Sequence, residues 1–407
     1  MPDQLLRGVI GITGLLLLAL CVSSNRRAIQ WKPVFTAILF NLFFALLILQ
    51  TAVGSAVFQG ISSVLLRILE FSAEGTRFVF GPLFDGFSRT PGFTGSSFVF
   101  VLGALLPIIF FGALINILYY LGIMPRIVRG MAYGLRRLFG LGGAEATVAA
   151  SNIFVGQVQG AMTVAPYLAQ MTQAQLFQVM VVGMSTVGAG MPLVYAGMGA
   201  KIEYALAANI MAVPAAIAFA KIIVPEQEAV SAEQHLSLTG YNAGINILDA
   251  LGKGAMAGWH VVLAISVMLL AFIPLVHLVN WTIVTASGNS TDLATVLGWL
   301  FTPLAYLTGI PAADTGAFAR LIGTKTTFNE VIAFGGITTA GLSPKGFMMT
   351  CVALTGFANF TSIAIQIGGL GELAPSRKND VARFGMRCVL AASLANLLSA
   401  TIAGMLF

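Results

Sequence analysis

Charge is the scarcest ingredient of this 407-residue chain: Lys, Arg, Asp and Glu make up 9% of it, against 57% hydrophobic residues. A soluble domain carries about 25% charged residues because its surface must face water. So little charge does not cover an aqueous exterior for a chain of this length, and most of the outer surface therefore faces lipid. Cysteine and histidine are nearly as rare, with three of each. Cys21, Cys351 and Cys388 stand far apart in or near apolar segments, which argues against a disulfide framework and against a metal cluster. His235, His260 and His277 are equally scattered. There is no G-x-x-x-x-G-K-[ST] run, so an ATP-driven pump on this chain is not expected. The glycine-rich stretches Gly188 to Gly199 and Gly368 to Gly371 follow no strand, which excludes a dinucleotide-binding fold.

Apolar side chains and glycine are abundant. Mean hydropathy is +0.91, and the 45 glycines suit helices packed closely in a bilayer, where small residues let backbones approach. The net charge of +6 does not point to nucleic acid, because the basic residues sit beside hydrophobic spans: Arg26, Arg27 and Lys32, then Arg126, Arg129, Arg136 and Arg137. That is the positive-inside pattern of cytoplasmic loops, and Arg377, Lys378, Arg383 and Arg387 repeat it. Leu15 to Cys21 is not read as a signal-peptide core. Asp3 and a single Arg7 make a weak basic flank, whereas Arg26 and Arg27 follow the run, as expected of a first membrane helix that starts outside.

A spanning helix needs roughly 20 mostly apolar residues. About nine stretches qualify: 5–23, 33–51, 97–122, 176–199, 204–224, 258–279, 294–309, 347–369 and 389–407. Residues 58–80 mix Arg67, Glu70, Glu74 and Arg77 with leucines and valines and read as an amphipathic interfacial helix, as do residues 125–138. The long polar connection from Pro225 to Asn246, with Glu226, Glu228, Glu233 and His235, divides the chain near its middle.

The two halves share an arrangement. Residues 147–167 are too polar to span and hold Asn152, Gln157 and Gln159; a hydrophobic helix follows, broken by Ser185, Thr186, Gly188 and Gly190. Residues 321–334 hold Lys325, Asn329 and Glu330; the helix that follows is broken by Asn359, Thr361 and Ser362. A re-entrant segment plus a discontinuous helix, once per half, points to a transporter with a binding site at the bilayer midplane. Unwound backbone is tolerated at that depth only where it is buried in protein or lines a cavity.

Glu330 is the charge of most interest, because a carboxylate near the bilayer centre costs ~3 kcal/mol or more and usually serves substrate or ion binding. The plainer alternative is a structural ion pair with Lys325. Asn359, Thr361 and Ser362 read as a cavity wall, against the alternative that they hold helices together. For Asn152, Thr186 and nearby carbonyls the residues alone leave cation coordination and plain helix packing open.

With these residues assembled, the chain resembles the concentrative nucleoside transporter family over nearly its whole length. The resemblance is carried by Glu74-Gly75-Thr76-Arg77-Phe78-Val79-Phe80-Gly81, Val155-Gly156-Gln157, Asn329-Glu330 and Gly356-Phe357-Ala358-Asn359 through Ser362. Ser393 to Leu397 and Ser399 to Gly404 add to it.

The resemblance implies an all-α integral membrane protein with an inverted-repeat transporter core. It has about eight transmembrane helices, two re-entrant helical hairpins and interfacial helices, and assembles as a homotrimer. The implied division is residues 1–95 as scaffold, 96–225 as a first half with hairpin 142–171, 226–257 as a connecting loop, and 258–407 as a second half with hairpin 319–343 and the terminal helix. The nine-span count is then one too many, with 294–309 the region to reassign against the second hairpin.

By the same resemblance Glu330, Asn359 and Ser362 hydrogen-bond the ribose hydroxyls, Phe357 lines the pocket, and Gln157 addresses the base. Asn152, the Val155 carbonyl, Thr186 and the Val187 carbonyl form a sodium site. The function implied is elevator-type import of nucleosides coupled to Na⁺ rather than H⁺, across a bacterial inner (plasma) membrane. The coupling ion is the sole cofactor, and the partners are the nucleoside and the lipid bilayer, without nucleic acid. Where the family shows a hydroxyl residue and then Glu after Gly-Gln, this chain has Val158-Gln159, so a base selectivity broader than pyrimidines is expected. The rival functions are a transporter for another small polar solute, an intramembrane enzyme using Glu330, and a passive channel.

Overall fold

A bilayer offers no water to hydrogen-bond an exposed peptide group, so apolar stretches of this length satisfy their backbones as helices. The computed structural model describes residues 2–84, 99–228, 243–288 and 291–407, and every regular element among them is helical. Glu233 and His235 lie outside the described residues.

The N-terminal part comprises α1 (Pro2–Cys21), α2 (Trp31–Gln50) and α3 (Ala52–Phe80), followed by α4 (Pro107–Tyr120) with a π-helical turn before it, and α5 (Ile123–Phe139). Helix α3 begins at Ala52, where Thr51 caps it by accepting from the Gly54 amide, rather than at Phe58. Its charged half carries the exposed pairs Arg67–Glu70 (2.6 Å) and Arg77–Glu74 (2.7 Å). Helix α5 is bounded by Gly122 and Gly140, both at positive φ, where a side chain would be strained.

Two repeats then follow. The first contains α6 (Gly143–Val155), α7 (Gln157–Met162), α8 (Ala165–Leu168), α9 (Gln173–Ser185), α10 (Met191–Gly197) and α11 (Ile202–Ile223). Next come α12 (Ile247–Ala286) and α13 (Leu293–Leu307). The second repeat contains α14 (Thr315–Thr327), α15 (Glu330–Gly335), α16 (Pro344–Leu354), α17 (Phe360–Leu373) and α18 (Lys378–Leu406). In each repeat two helices fold back on each other as a hairpin, α6 with α7 and α14 with α15, and a broken helix comes next, α9/α10 and α16/α17.

Several sequence expectations change. The connection after Val224 is shorter than 226–257, because Asn246 caps α12 by accepting from the Asp249 amide and residues 247–257 are helical. The polar residues there start a helix: Lys253 pairs with Asp249 at 3.0 Å, one turn apart. The stretch 294–309, the region marked for reassignment, is α13, only 15 residues long and too short to cross a core of about 30 Å; it lies along α14 of the second hairpin, as expected. The second hairpin starts at Thr315, four residues before Ala319, because the buried Asp314 carboxylate holds Ser343 at the hairpin's far end through its amide (3.0 Å) and hydroxyl (2.5 Å).

Helices α11 and α18 form the centre, with most of their residues buried, whereas α12 is largely exposed along its length. Buried polar groups at that depth need partners. Asn41 of α2 donates to the Met211 carbonyl (2.7 Å) and to Ser399 (3.2 Å), tying α2, α11 and α18 together. Helices α4 and α12 approach each other more closely, since a Cβ on Gly112 would meet the Gly254 carbonyl at 2.7 Å. Backbones come that near only through small residues.

Candidate functional site

Four chain breaks build the site. At the first hairpin tip, α6 stops at Val155 and α7 starts at Gln157, with Gly156 between them at φ 87°. At the second, α14 stops at Thr327 and Asn329 starts α15, its side chain accepting from the Ile332 amide at 2.9 Å. Helix α9 stops at Ser185 and α10 starts at Met191; α16 stops at Leu354 and α17 starts at Phe360, capped by Asn359.

The breaks surround a cavity of about 360 Å³, within the range of small-molecule sites. Gln157, Gln159, Glu330, Phe357, Asn359 and Ser362 line it on one side. Ile108 and Phe111 of α4 with Gly258 and Val261 of α12 form the opposite, apolar wall. The sequence did not single out that wall, because an apolar residue facing a cavity has the same composition as one facing lipid.

Glu330 and Asn359 meet. The Asn359 amide nitrogen donates to the Glu330 carboxylate at 3.0 Å, and both side chains are buried. The amide's orientation is fixed by its other end, since its oxygen accepts from the Ser362 backbone amide at 2.8 Å in capping α17. A carboxylate has about four lone-pair sites, so the Asn359 bond leaves Glu330 acceptor capacity toward the cavity. The Thr361 hydroxyl donates to the Phe328 carbonyl at 3.1 Å and locks α17 to the second hairpin tip. The alternative, an ion pair between Lys325 and Glu330, is not made. Lys325 turns away, donating to the Ala353 carbonyl (2.7 Å) and to the Asn396 side-chain oxygen (2.9 Å).

On the first-hairpin side, Gln157 accepts from the Gln366 amide at 3.2 Å, and Gln366 also donates to the Met180 carbonyl at 3.0 Å. Because both acceptors are oxygens, the Gln366 nitrogen faces them and the Gln157 nitrogen is left to face elsewhere. Gln366 was missed from the sequence, although it stands four residues after Ser362 and so on the same helix face. Val158 belongs to α7, but its side chain lies outside the described ones.

Asn152 is fully buried in α6, and neither its oxygen nor its nitrogen has a partner among the described residues. An unpaired amide in a membrane interior is expensive. The break of α9 lies against this hairpin: the Ala189 amide donates to the Phe154 carbonyl at 3.0 Å. Asn209 of α11 accepts from the Val187 amide (2.8 Å) and donates to the Ile153 carbonyl (3.1 Å). The Thr186 hydroxyl donates to the Val182 carbonyl at 2.8 Å, which keeps its lone pairs available to a cation. No cluster of three or more His, Cys, Asp or Glu occurs among the described residues, so the donors here are neutral oxygens, the kind a hard monovalent cation takes.

The chain was compared with known proteins. Residues 204–404 match the family described as "Na+ dependent nucleoside transporter C-terminus", residues 10–83 its N-terminus, and residues 101–201 a family described as "Nucleoside recognition". An uncharacterized transporter of Bacillus subtilis, YutK, is 38% identical over 99% of both chains. The nucleoside permease NupC of Helicobacter pylori is 35% identical over 98% of this chain and 96% of its own. The solved structure of CNTnw in an inward-facing substrate-bound state superposes with a TM-score of 0.95 at 35% identity, covering 100% of this chain and 98% of that one.

Proposed function

Because the chain belongs to the concentrative nucleoside transporter family, whose members are multi-pass plasma-membrane proteins and not enzymes, we propose that it imports nucleosides by secondary active transport coupled to a cation, Na⁺ before H⁺. The observation that carries the reading is the Glu330–Asn359 pair at 3.0 Å on a membrane-embedded cavity. A vicinal diol supplies two O–H donors, which an acceptor-only carboxylate takes, while the asparagine amide gives one hydrogen to Glu330 and keeps its second for a sugar oxygen. Ser362 adds a hydroxyl beside them, and Phe357 offers an aromatic wall.

The base lies toward the first hairpin. Gln157, oriented by Gln366, presents a donor to a base acceptor, and Gln159 replaces a fixed acceptor with an amide that both donates and accepts. Purine and pyrimidine bases both satisfy such a group, so selectivity is broad.

The cation sits among Asn152, the Val155 carbonyl, the Thr186 hydroxyl and the Val187 carbonyl, where it satisfies the Asn152 oxygen. It shares the hairpin tip with the base: Val155 and Gln157 flank Gly156. Ordering the tip for one ligand therefore prepares it for the other, and the coupling is reciprocal. The hairpins and broken helices move as one unit against α4 and α12, in an elevator-type cycle, within a homotrimer.

Uptake of labelled uridine into proteoliposomes, with and without an inward Na⁺ gradient and in competition with purine nucleosides, tests this. Uphill, Na⁺-dependent accumulation inhibited by both base classes is expected. Equilibration without accumulation would make the protein a channel. Uptake indifferent to choline replacement but collapsed by a protonophore would assign H⁺, and strict pyrimidine preference would remove the role given to Gln159.

A further inference from the structure

The two repeats share the order of hairpin, broken helix and closing long helix, and their breaks fall at matching positions. Asn152 lies five residues before Gln157, which starts α7; Lys325 lies five residues before Glu330, which starts α15. Helix α9 ends before Thr186, whose hydroxyl donates to the carbonyl four residues back at 2.8 Å. Helix α16 ends before Thr355, whose hydroxyl does the same at 2.9 Å. Each closing long helix supplies an asparagine: Asn209 of α11 bonds the break and the hairpin of its own repeat, whereas Asn396 of α18 bonds Lys325 of its own hairpin and the end of α9 in the first repeat. The exception is the residue at the centre: a short amide with unpaired atoms in the first repeat, a lysine in the second.

Lys325 is 2% exposed, and its ammonium is held between two oxygens beside the α16 break. It donates to the Ala353 carbonyl in the last turn of α16, and carbonyls at a helix C-terminus carry partial negative charge. It also donates to the Asn396 oxygen, while the Asn396 nitrogen donates to the Ser185 carbonyl at 2.9 Å, the last residue of α9. Both breaks therefore converge on Asn396. Gly356, at φ 135°, permits this, since a Cβ there would stand 2.6 Å from the Ser185 carbonyl.

We infer that Lys325 is a tethered cation, which occupies in the second repeat the place that the coupling cation takes in the first. This rests on the cation role proposed for Asn152 and Thr186. The second hairpin is then closed onto α16 at all times without drawing an ion from solution, and only the first hairpin responds to the gradient. Lys325 is a positioning residue: through the break of α16 it sets where Glu330 and Asn359 stand, without touching substrate.

The test compares Lys325→Ala with Lys325→Met, adding propylammonium, which matches the atoms that Lys325→Ala removes, or propanol as its neutral counterpart. Uptake by Lys325→Ala should fall at least about tenfold, the effect of losing charge-assisted hydrogen bonds. Propylammonium should restore part of that uptake and raise the melting temperature of Lys325→Ala, without effect on the wild type; propanol should do neither. Lys325→Met, of similar length but uncharged, should stay impaired and unresponsive. Wild-type uptake by Lys325→Met, or a Lys325→Ala melting temperature indifferent to propylammonium, overturns the inference. Should Lys325→Ala be recovered only as aggregate, propylammonium present from solubilisation onward must yield folded protein, and its failure to do so counts equally against the inference. Melting needs no nucleoside, so this failure is distinguishable from a failure of the transport reading.

Discussion

The first and second hairpins share one architecture and differ in how they handle charge. In the first, the buried tip carries only neutral groups, and Asn152 is left unpaired among the described residues. In the second, the tip carries a carboxylate and an ammonium five residues apart, each with its own partners: Glu330 with Asn359, Lys325 with Ala353 and Asn396. In the proposed function, the site with neutral oxygens depends on an ion that comes and goes. A site with built-in charges is always set. Under the proposed function the contrast is a division of labour, in which one hairpin senses the gradient and the other grips the sugar.

The largest effect that would break this comparison is expected from Glu330→Gln. It keeps the shape, replaces an acceptor-only group with an amide, and should lower uptake about a hundredfold while leaving membrane insertion intact, since the charged acceptor becomes neutral and one of its oxygens becomes a donor facing other donors. Uptake at the wild-type level would remove the ribose contact. Next is Asn152→Ala on the first hairpin, for which the Na⁺ concentration giving half-maximal uptake should rise about tenfold. An unchanged Na⁺ dependence would leave Asn152 as packing only. The smallest is Gln366→Leu, which frees the Gln157 amide to rotate. Nucleoside affinity should weaken roughly three- to fivefold, the worth of one neutral hydrogen bond, with free ribose inhibiting as before. An equal loss for ribose would mean that Gln366 supports the whole pocket rather than its base end.

Glu330 and Asn359 were legible in the sequence because each is a polar residue beside a helix break inside an apolar stretch, and such residues are too costly to keep without use. That the two serve one pocket came from the family resemblance, and their direct bond at 3.0 Å came from the structure. Lys325 was legible as unusual, but its partner was not. Proximity in sequence favoured Glu330, whereas the side chain reaches Asn396, 71 residues away. Helix α13 was counted among the spans because hydropathy sees composition and not the 15-residue length set by its caps. The loop before α12 was drawn too long for the converse reason: Asn246, Asp249 and Lys253 are polar, yet they cap and pair as the first turns of a helix.

Composition alone made this a membrane protein, since 9% charge cannot clothe a soluble chain of 407 residues, and hydropathy with interrupted runs made it a transporter built of two repeats. Those properties are local sums, read along the chain. Tertiary structure decided which buried charge answers which, that Gln366 orients Gln157, and that α4 and α12 close the cavity. Partners across a bundle are chosen by packing between helices distant in sequence, and no periodicity within one helix records them.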